Sequence, residues 1–178
     1  MPFPLINPDT CLQAITAADF TTIAHLANTI WSEHYTPIIG KAQVDYMLAD
    51  RYTPEKLQRY LDANDRWMLL LSVDDEPAGY CSYALTDIPE EMKVEQLYVL
   101  SGLRGKNLGT TMLTHIEQQA RLHSRNKLVL QVNKKNGTAI AFYRRMSFTV
   151  REAAVFDIGD GYVMDDYVME KLLTPVAA

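Results

Sequence analysis

A chain of 178 residues that is 48% apolar and 22% charged has enough apolar surface for one sizeable core, which excludes a disordered or fibrous protein. No run reaches the roughly 18 apolar residues of a membrane span, and Met1-Pro2-Phe3-Pro4 lacks the basic segment and apolar block of a secretory leader, so a cytoplasmic protein without a membrane partner is expected. A net charge of −5 argues against nucleic acid as the partner, and two distant cysteines, Cys11 and Cys81, argue against a disulfide framework or a metal site.

Thr10 to Ile15 reads as a first strand. Thr16 can cap a helix running to about Glu33, in which Phe20, Ile23, Leu26, Ala27 and Ile30 fall near helical spacing, and Thr36-Pro37 should end it. Lys41 to Asp50 and Pro54 to Ala63 read as two shorter helices, the second capped by Thr53 with Pro54 in its first turn. The period then shortens. Trp67 to Val73 and Ala78 to Leu85 are strand-like and joined as a hairpin through Asp74-Asp75-Glu76-Pro77, and Met92 to Val99 is the next antiparallel strand. A helix from about Leu108 to His123 is striped by Leu108, Met112, Leu113, Ile116 and Ala120. Lys127 to Val132 is a short buried strand and Thr138 to Met146 a helix; Phe148 to Ile158 and Tyr162 to Leu172 form a closing hairpin around Gly159-Asp160-Gly161. With no repeat, linker or low-complexity segment, this succession predicts one α+β domain over residues 1–178, built on a mixed, mostly antiparallel twisted sheet flanked by helices. Its distinctive element is the parallel crossover from the Met92 to Val99 strand, through a helix, to the Lys127 to Val132 strand; ligands favour the C-terminal ends of such strands.

Between that strand and its helix lies Leu103-Arg104-Gly105-Lys106-Asn107-Leu108-Gly109. Gly105 and Gly109 free the backbone to approach a bound group, Lys106 adds positive charge, and a helix beginning near Leu108 presents unpaired amides and the positive end of its dipole to an anion such as a pyrophosphate. A glycine turn that only caps the helix fits these residues equally well. Basic residues gather at Arg104/Lys106, Arg121 to Lys127, Lys134/Lys135 and Arg144/Arg145, which fits a small polyanion bound by one part of an acidic protein, although charge runs also serve as solvated faces.

Two separated motifs decide between these readings. Arg104-Gly105-Lys106-Asn107-Leu108-Gly109 resembles the pyrophosphate loop of the GNAT family of acetyl-CoA-dependent N-acetyltransferases, and Leu130-Gln131-Val132 with Asn136, Ala139, Tyr143 and Phe148 resembles the family's strand–helix signature. The resemblance covers nearly the full chain, and the ending from Gly159 to Met169 is loosely similar to a bacterial branch that includes polyamine acetyltransferase-like proteins. Two residues depart from the pattern: Asn107 stands where a loop glycine is usual, and Ser147 where a glycine normally precedes the aromatic residue. Asn tolerates positive φ better than most residues, so the loop can still form.

The resemblance implies acetyl-CoA as co-substrate and no metal, with the thioester between the splayed ends of the two parallel strands. Leu97, Tyr98 and Val99 would pair with the pantetheine, helped by a bulge; Arg104, Gly105, Lys106, Asn107, Leu108, Gly109 and Thr110 would hold the pyrophosphate; Asn136 would orient the CoA arm or cap the next helix. The resemblance places the Tyr143 phenol where it can protonate the leaving thiolate. Glu95 is the candidate base; alternation puts it on one strand face with Leu97 and Val99, which would bury its carboxylate unless the cleft accommodates it. The resemblance implies that the acceptor enters between the N-terminal helical region and the last hairpin, where Trp31, His34, Tyr35 and Asp157 are the candidates, with Glu33, Tyr46, Asp165 and Asp166 in the same regions, although aromatic residues at helical spacing also serve as core. The expected activity is transfer of an acetyl group to a primary amine, with a small amine or polyamine favoured; acetylation of a protein or peptide amine, or a non-catalytic acyl-CoA-binding sensor, are the alternatives. A strand edge or swapped hairpin could join two copies.

Overall fold

The computed structural model describes residues 9–174. In chain order the elements are β1 (Thr10–Ala14), α1 (Phe20–His34), α2 (Thr36–Ile39), α3 (Lys41–Arg51), α4 (Pro54–Asp62), β2 (Arg66–Val73), β3 (Glu76–Leu85), β4 (Glu91–Val99), α5 (Leu108–Leu122), β5 (Lys127–Asn133), α6 (Gly137–Arg145), β6 (Thr149–Gly159) and β7 (Tyr162–Leu172). The strands hydrogen-bond in the order β1-β2-β3-β4-β5-β7-β6, so the sheet is mixed: β4 and β5 are parallel, whereas β1 on β2, β5 on β7 and β7 on β6 are antiparallel. This is the expected α+β class. Sequence alone left open that β7 inserts between β5 and β6.

Local chemistry explains most boundaries. The Asp74-Asp75 turn has φ values of 53° and 63°, the double left-handed geometry that matches strand twist, so β2 and β3 run up to a two-residue loop and β3 begins at Glu76 rather than Ala78. Thr16 does cap, but onto a short 3-10 turn over Ala17–Asp19; its amide donates to Asp19 Oδ2 at 2.8 Å, and α1 starts only at Phe20. Pro37 interrupts α1 as expected, yet a further single turn, α2, forms before Gly40 at φ 85° redirects the chain into α3. Thr53 caps α4 by accepting from the Lys56 amide at 3.3 Å.

The described residues form two compact units, one comprising residues 9–83 with Gln96–Thr114 and the other Ala84–Glu95 with residues 115–174. In the first, Ile23, Ile30 and Trp31 of α1 bury with Leu57, Met68 and Tyr80 in a continuous apolar core. In the second, the parallel ladder runs from Glu91 opposite Lys127 to Lys93 opposite Val129; β5 continues past it to Asn133, whose partner is Asp166 on β7. Cys81 is fully buried, and burial pushes its thiol up, as befits an inert core residue.

Helix α6 ends in a motif that matters for Tyr143. Ser147, at φ 69°, occupies the left-handed position after the helix; its amide donates to Arg144 O at 3.0 Å, while the Phe148 amide donates to Tyr143 O at 2.9 Å. The Phe148 ring packs against the Tyr143 ring at 5.6 Å, completing the apolar contact of this helix ending. The glycine usual at Ser147 would serve that left-handed position.

Candidate active site

In the first unit, the end of β4 meets an aromatic cluster. Along β4, Met92, Val94 and Gln96 are buried, whereas Lys93, Glu95 and Leu97 are half-buried. Alternation therefore holds, but the deep face is the even-numbered one, and Glu95 escapes the burial expected for it. Gln96 tolerates burial because Tyr52 Oη donates to its Oε1 at 3.2 Å; Tyr52 Oη also lies 2.7 Å from Tyr80 Oη. Burial pushes both phenols up, so they remain protonated donors. The Tyr98 ring packs against Tyr80 at 5.3 Å, Trp31 at 5.8 Å and Tyr35 at 6.2 Å, and the Arg51 guanidinium lies 5.3 Å over Trp31. Of the expected acceptor residues, Trp31 is thus core, Tyr35 and His34 are half-buried at the end of α1, and Tyr46 is exposed.

Gly79 on β3 explains how the end of β4 is shaped. A Cβ at Gly79 would approach the Tyr98 carbonyl oxygen well inside 3.0 Å and the Val99 Cα at 3.1 Å. The backbone at Tyr98 and Val99 therefore approaches β3 more closely than any side chain at position 79 would allow. The Leu100 amide still donates to Ala78 O at 2.9 Å, holding the strand end in place.

Beyond β4 a 3-10 turn over Ser101–Leu103 leads into the glycine loop. Gly105 has φ 80° and Asn107 φ 61°; Asn107 accepts from the Thr111 amide at 2.9 Å and from Thr111 Oγ1 at 3.1 Å, and so opens α5. The two left-handed residues turn the chain so that the first amides of α5, from Leu108 and Gly109 on, head a 15-residue helix, with Arg104 and Lys106 alongside in the loop. A Cβ on Gly105 would meet nothing within 4 Å, so the glycine serves backbone conformation and leaves open space beside the loop. The loop is braced by α1: Ser101 Oγ donates to Glu33 Oε2 at 2.9 Å, and Arg104 Nη1 lies 3.4 Å from His34 Nδ1. Two residues expected in different roles, His34 for the acceptor and Arg104 for the pyrophosphate, therefore touch.

In the second unit, Asn136 caps α6 by accepting from the Ala139 amide at 3.3 Å, and its own amide donates to Asn133 O at 2.9 Å. Tyr143, only 9% exposed, is held between Phe142 and Phe148. Asp157 lies exposed on β6, where Oδ1 accepts from the Gly159 amide at 2.8 Å and secures the β6–β7 turn. Asp166, by contrast, is 4% exposed, and burial next to Asp165 raises its carboxyl to about 6 despite Lys134 and Lys93. Sequence reasoning grouped it only with the other acids. The neighbouring apolar Tyr167, Val168 and Met169 were the available signal that this segment is a buried strand.

A strand leading through a left-handed glycine turn into an anion-ready helix, followed by a capped strand–helix unit carrying Tyr143, decides the classification. The chain belongs to the acetyltransferase (GNAT) family, which residues 25–148 match. Streptothricin acetyltransferase of Streptomyces lavendulae is 31% identical over 87 residues, which are 49% of this chain and 46% of that protein, so the match spans less than half the relative's length. Spermidine N(1)-acetyltransferase of Thermoplasma acidophilum is 21% identical over 164 residues, 90% of this chain and 95% of that protein. The crystal structure of PaiA N-acetyltransferase from Thermoplasma acidophilum in complex with coenzyme A shares the fold, with a TM-score of 0.77 at 20% identity over 92% of this chain and 98% of that one. Among the described residues, no group of three or more His, Cys, Asp and Glu could hold a metal ion, and no helix is long and apolar enough to cross a membrane.

Proposed function

We propose that this chain, acting over residues 1–178 as one catalytic domain, transfers an acetyl group from acetyl-CoA to a primary amine of a small molecule. The observation that carries the reading is the Gly105–Asn107 turn at φ 80° and 61°, which opens α5 directly after β4 in a GNAT-family chain. The donor set fits a pyrophosphate: amides at the head of α5, the Arg104 and Lys106 side chains, and open space beside Gly105. Thr110 in the first turn of α5 belongs to the same set, and Asn107 contributes its backbone. The backbone of Leu97, Tyr98 and Val99 is the strand along which the pantetheine would lie, and an amide there would polarise the thioester carbonyl. Asn136 supports this arm through the α6 cap.

Attack by a neutral amine forms the C–N bond and breaks the C–S bond; Tyr143 donates its phenolic proton to the departing thiolate. The ammonium must first lose a proton, and half-buried Glu95 on β4, the strand that would line the cleft, is the candidate base from sequence. The acceptor approaches the α1 end, where His34 and Tyr35 border the aromatic cluster around Trp31. A compact or polyamine acceptor is favoured because the names of two relatives specify spermidine and streptothricin. A cytoplasmic setting accompanies this reading, since Cys11 and Cys81 are free thiols.

The test is thiol release from acetyl-CoA by purified protein with spermidine, then streptothricin, and then a peptide bearing a free amine. Release that depends on a small amine is expected. Coenzyme A binding without release on any amine would leave a sensor and end the catalytic reading. Tyr143→Phe should lower kcat by about 10²-fold with acetyl-CoA KM little changed; equal turnover would remove Tyr143 from the chemistry.

A further inference from the structure

Asp166 is the anomalous carboxylate of the second unit. Other acidic side chains on its unit's strands and helix have charged partners: Glu91 binds Arg151 at 2.9 Å and Lys127 at 3.7 Å, Glu117 binds Lys171, Asp165 binds Lys134, and Glu170 lies 3.6 Å from Lys127. Asp166 is as buried as Glu91, yet its Oδ1 is sealed from solvent without a hydrogen-bond partner. A buried carboxylate oxygen without a partner opposes folding, so its retention needs a reason outside stability.

Its position supplies one. Register sets Asp166 beside Asn133, the last residue of β5, and beside Ala154 of β6. It therefore lies at the C-terminal end of a strand of the parallel pair, the end at which ligands of such sheets gather. The chain turns there at once through Asn133, which accepts from the Lys135 amide at 2.9 Å, into the Asn136 cap of the Tyr143 helix. We propose that Asp166 is the base that takes the proton from the acceptor ammonium, directly or through one water; this rests on the acetyltransferase reading and replaces Glu95 in that role.

The step balances. An N–H bond of the ammonium breaks as an O–H bond forms on Asp166; the freed lone pair makes the C–N bond; the C–S bond breaks, and the sulfur carries its electron pair away and is protonated. Asp166 gives up its proton to a water admitted when the product leaves. The charged groups facing it are Asp165 from β7, Lys134 from the turn after β5, and Lys93 from β4. Lys134 is engaged by Asp165, and Lys93 Nζ donates to Gln131 Oε1 at 3.2 Å, so both cations are held elsewhere. Burial and Asp165 set the carboxyl at about 6, which keeps it ionised at neutral pH while making it more basic than an exposed aspartate. Glu95, half-buried on β4, lacks that enclosure.

The experiment compares full-length wild type, Asp166→Asn and Glu95→Gln with acetyl-CoA and spermidine across pH, and measures coenzyme A affinity as a control. Wild type should show an acid limb near 6 in kcat/KM. Asp166→Asn should lose that limb and fall by about 10²-fold in kcat while binding coenzyme A normally; Glu95→Gln should keep the limb. Because an uncompensated buried charge is removed, Asp166→Asn should also raise Tm at neutral pH, by roughly 2–8 °C. Should Asn prove unable to fold, Asp166→Ala carries the same activity readouts. A variant that turns over like wild type with the limb intact, or one in which Glu95→Gln abolishes the limb instead, overturns the Asp166 assignment alone. A wild type that releases no thiol with spermidine, streptothricin or peptide amines overturns the transferase reading and this assignment together.

Discussion

Gly79→Ala perturbs the end of β4 at the backbone proposed to line the pantetheine. The added methyl would meet the Tyr98 carbonyl oxygen well inside 3.0 Å, the Val99 Cα at 3.1 Å and the Tyr98 carbonyl carbon at 3.3 Å. All three are backbone atoms, so no side chain can swing aside, and β3 and β4 must part by roughly 1 Å to reach ordinary contact distance. Overpacking of this kind costs about 1–3 kcal/mol, offset by up to about 1 kcal/mol because alanine narrows the unfolded ensemble. A net loss of about 2 kcal/mol corresponds to a Tm decrease of roughly 4–8 °C in a chain of this size. The same displacement moves the Leu97 to Val99 backbone and strains the 2.9 Å bond from the Leu100 amide to Ala78 O, so acetyl-CoA affinity should fall as well. Thermal unfolding and calorimetric titration of acetyl-CoA measure the two effects. Gly137→Ala is the control: its Cβ meets nothing within 4 Å at the first position of α6, and the change should be neutral or stabilising. If Gly79→Ala melts and binds acetyl-CoA like wild type, the strand end is not held by close backbone approach and the reasoning fails.

Asn107, at φ 61°, should lose about 1 kcal/mol on change to Ala and gain a few tenths on change to Gly, and acetyl-CoA titration should follow that order if backbone geometry alone matters; looser binding in the Gly variant would reveal a role for the Asn side chain. Tyr52→Phe strips a hydroxyl from between Tyr80 Oη and Gln96 Oε1 and should cost about 1–3 kcal/mol in urea unfolding, whereas a neutral result would mean that those groups are satisfied elsewhere. The pH dependence of stability follows from Asp166. Its folded value of about 6 exceeds the unfolded 3.8, so the folded state binds the proton more tightly and the ionised group opposes folding. This penalty is fully present above pH 6 and is lifted as pH falls toward 4. Urea unfolding should therefore show Asp166→Asn more stable than wild type at neutral pH, with the gap closing in acid; a constant gap would contradict the buried-charge account.

Local signals account for much of what sequence reading achieved. Thr53 and Asn136 carry side chains that satisfy first-turn amides, and both cap the helices assigned to them. Leu108, Met112, Leu113, Ile116 and Ala120 fall on one helical stripe, and all five are buried. The loop from Arg104 to Gly109 was readable because left-handed turns restrict residue choice, and Asn107 adopts the positive φ anticipated for it. Where reading was less accurate, the cause was also local: short pieces such as the Ala17–Asp19 and Ser101–Leu103 turns and α2 are too brief to leave a periodic signature.

The sequence by itself thus determined the succession of elements, the family and the loop that suits a pyrophosphate, since each depends on residues near one another in the chain. Tertiary structure decided which strands lie side by side and which face of a strand is deep. Alternation along β4 says that Glu95, Leu97 and Val99 share a face, but only packing of Gln96 and Tyr98 toward Tyr52, Tyr80 and Trp31 makes the opposite face the buried one. Asp157 and Asp166 lie on the two strands of the hairpin with similar local chemistry; the insertion of β7 between β5 and β6 leaves Asp157 exposed on β6 and buries Asp166 beside Asn133. Which strands become neighbours depends on contacts between segments distant in the chain, and no local pattern encodes that order.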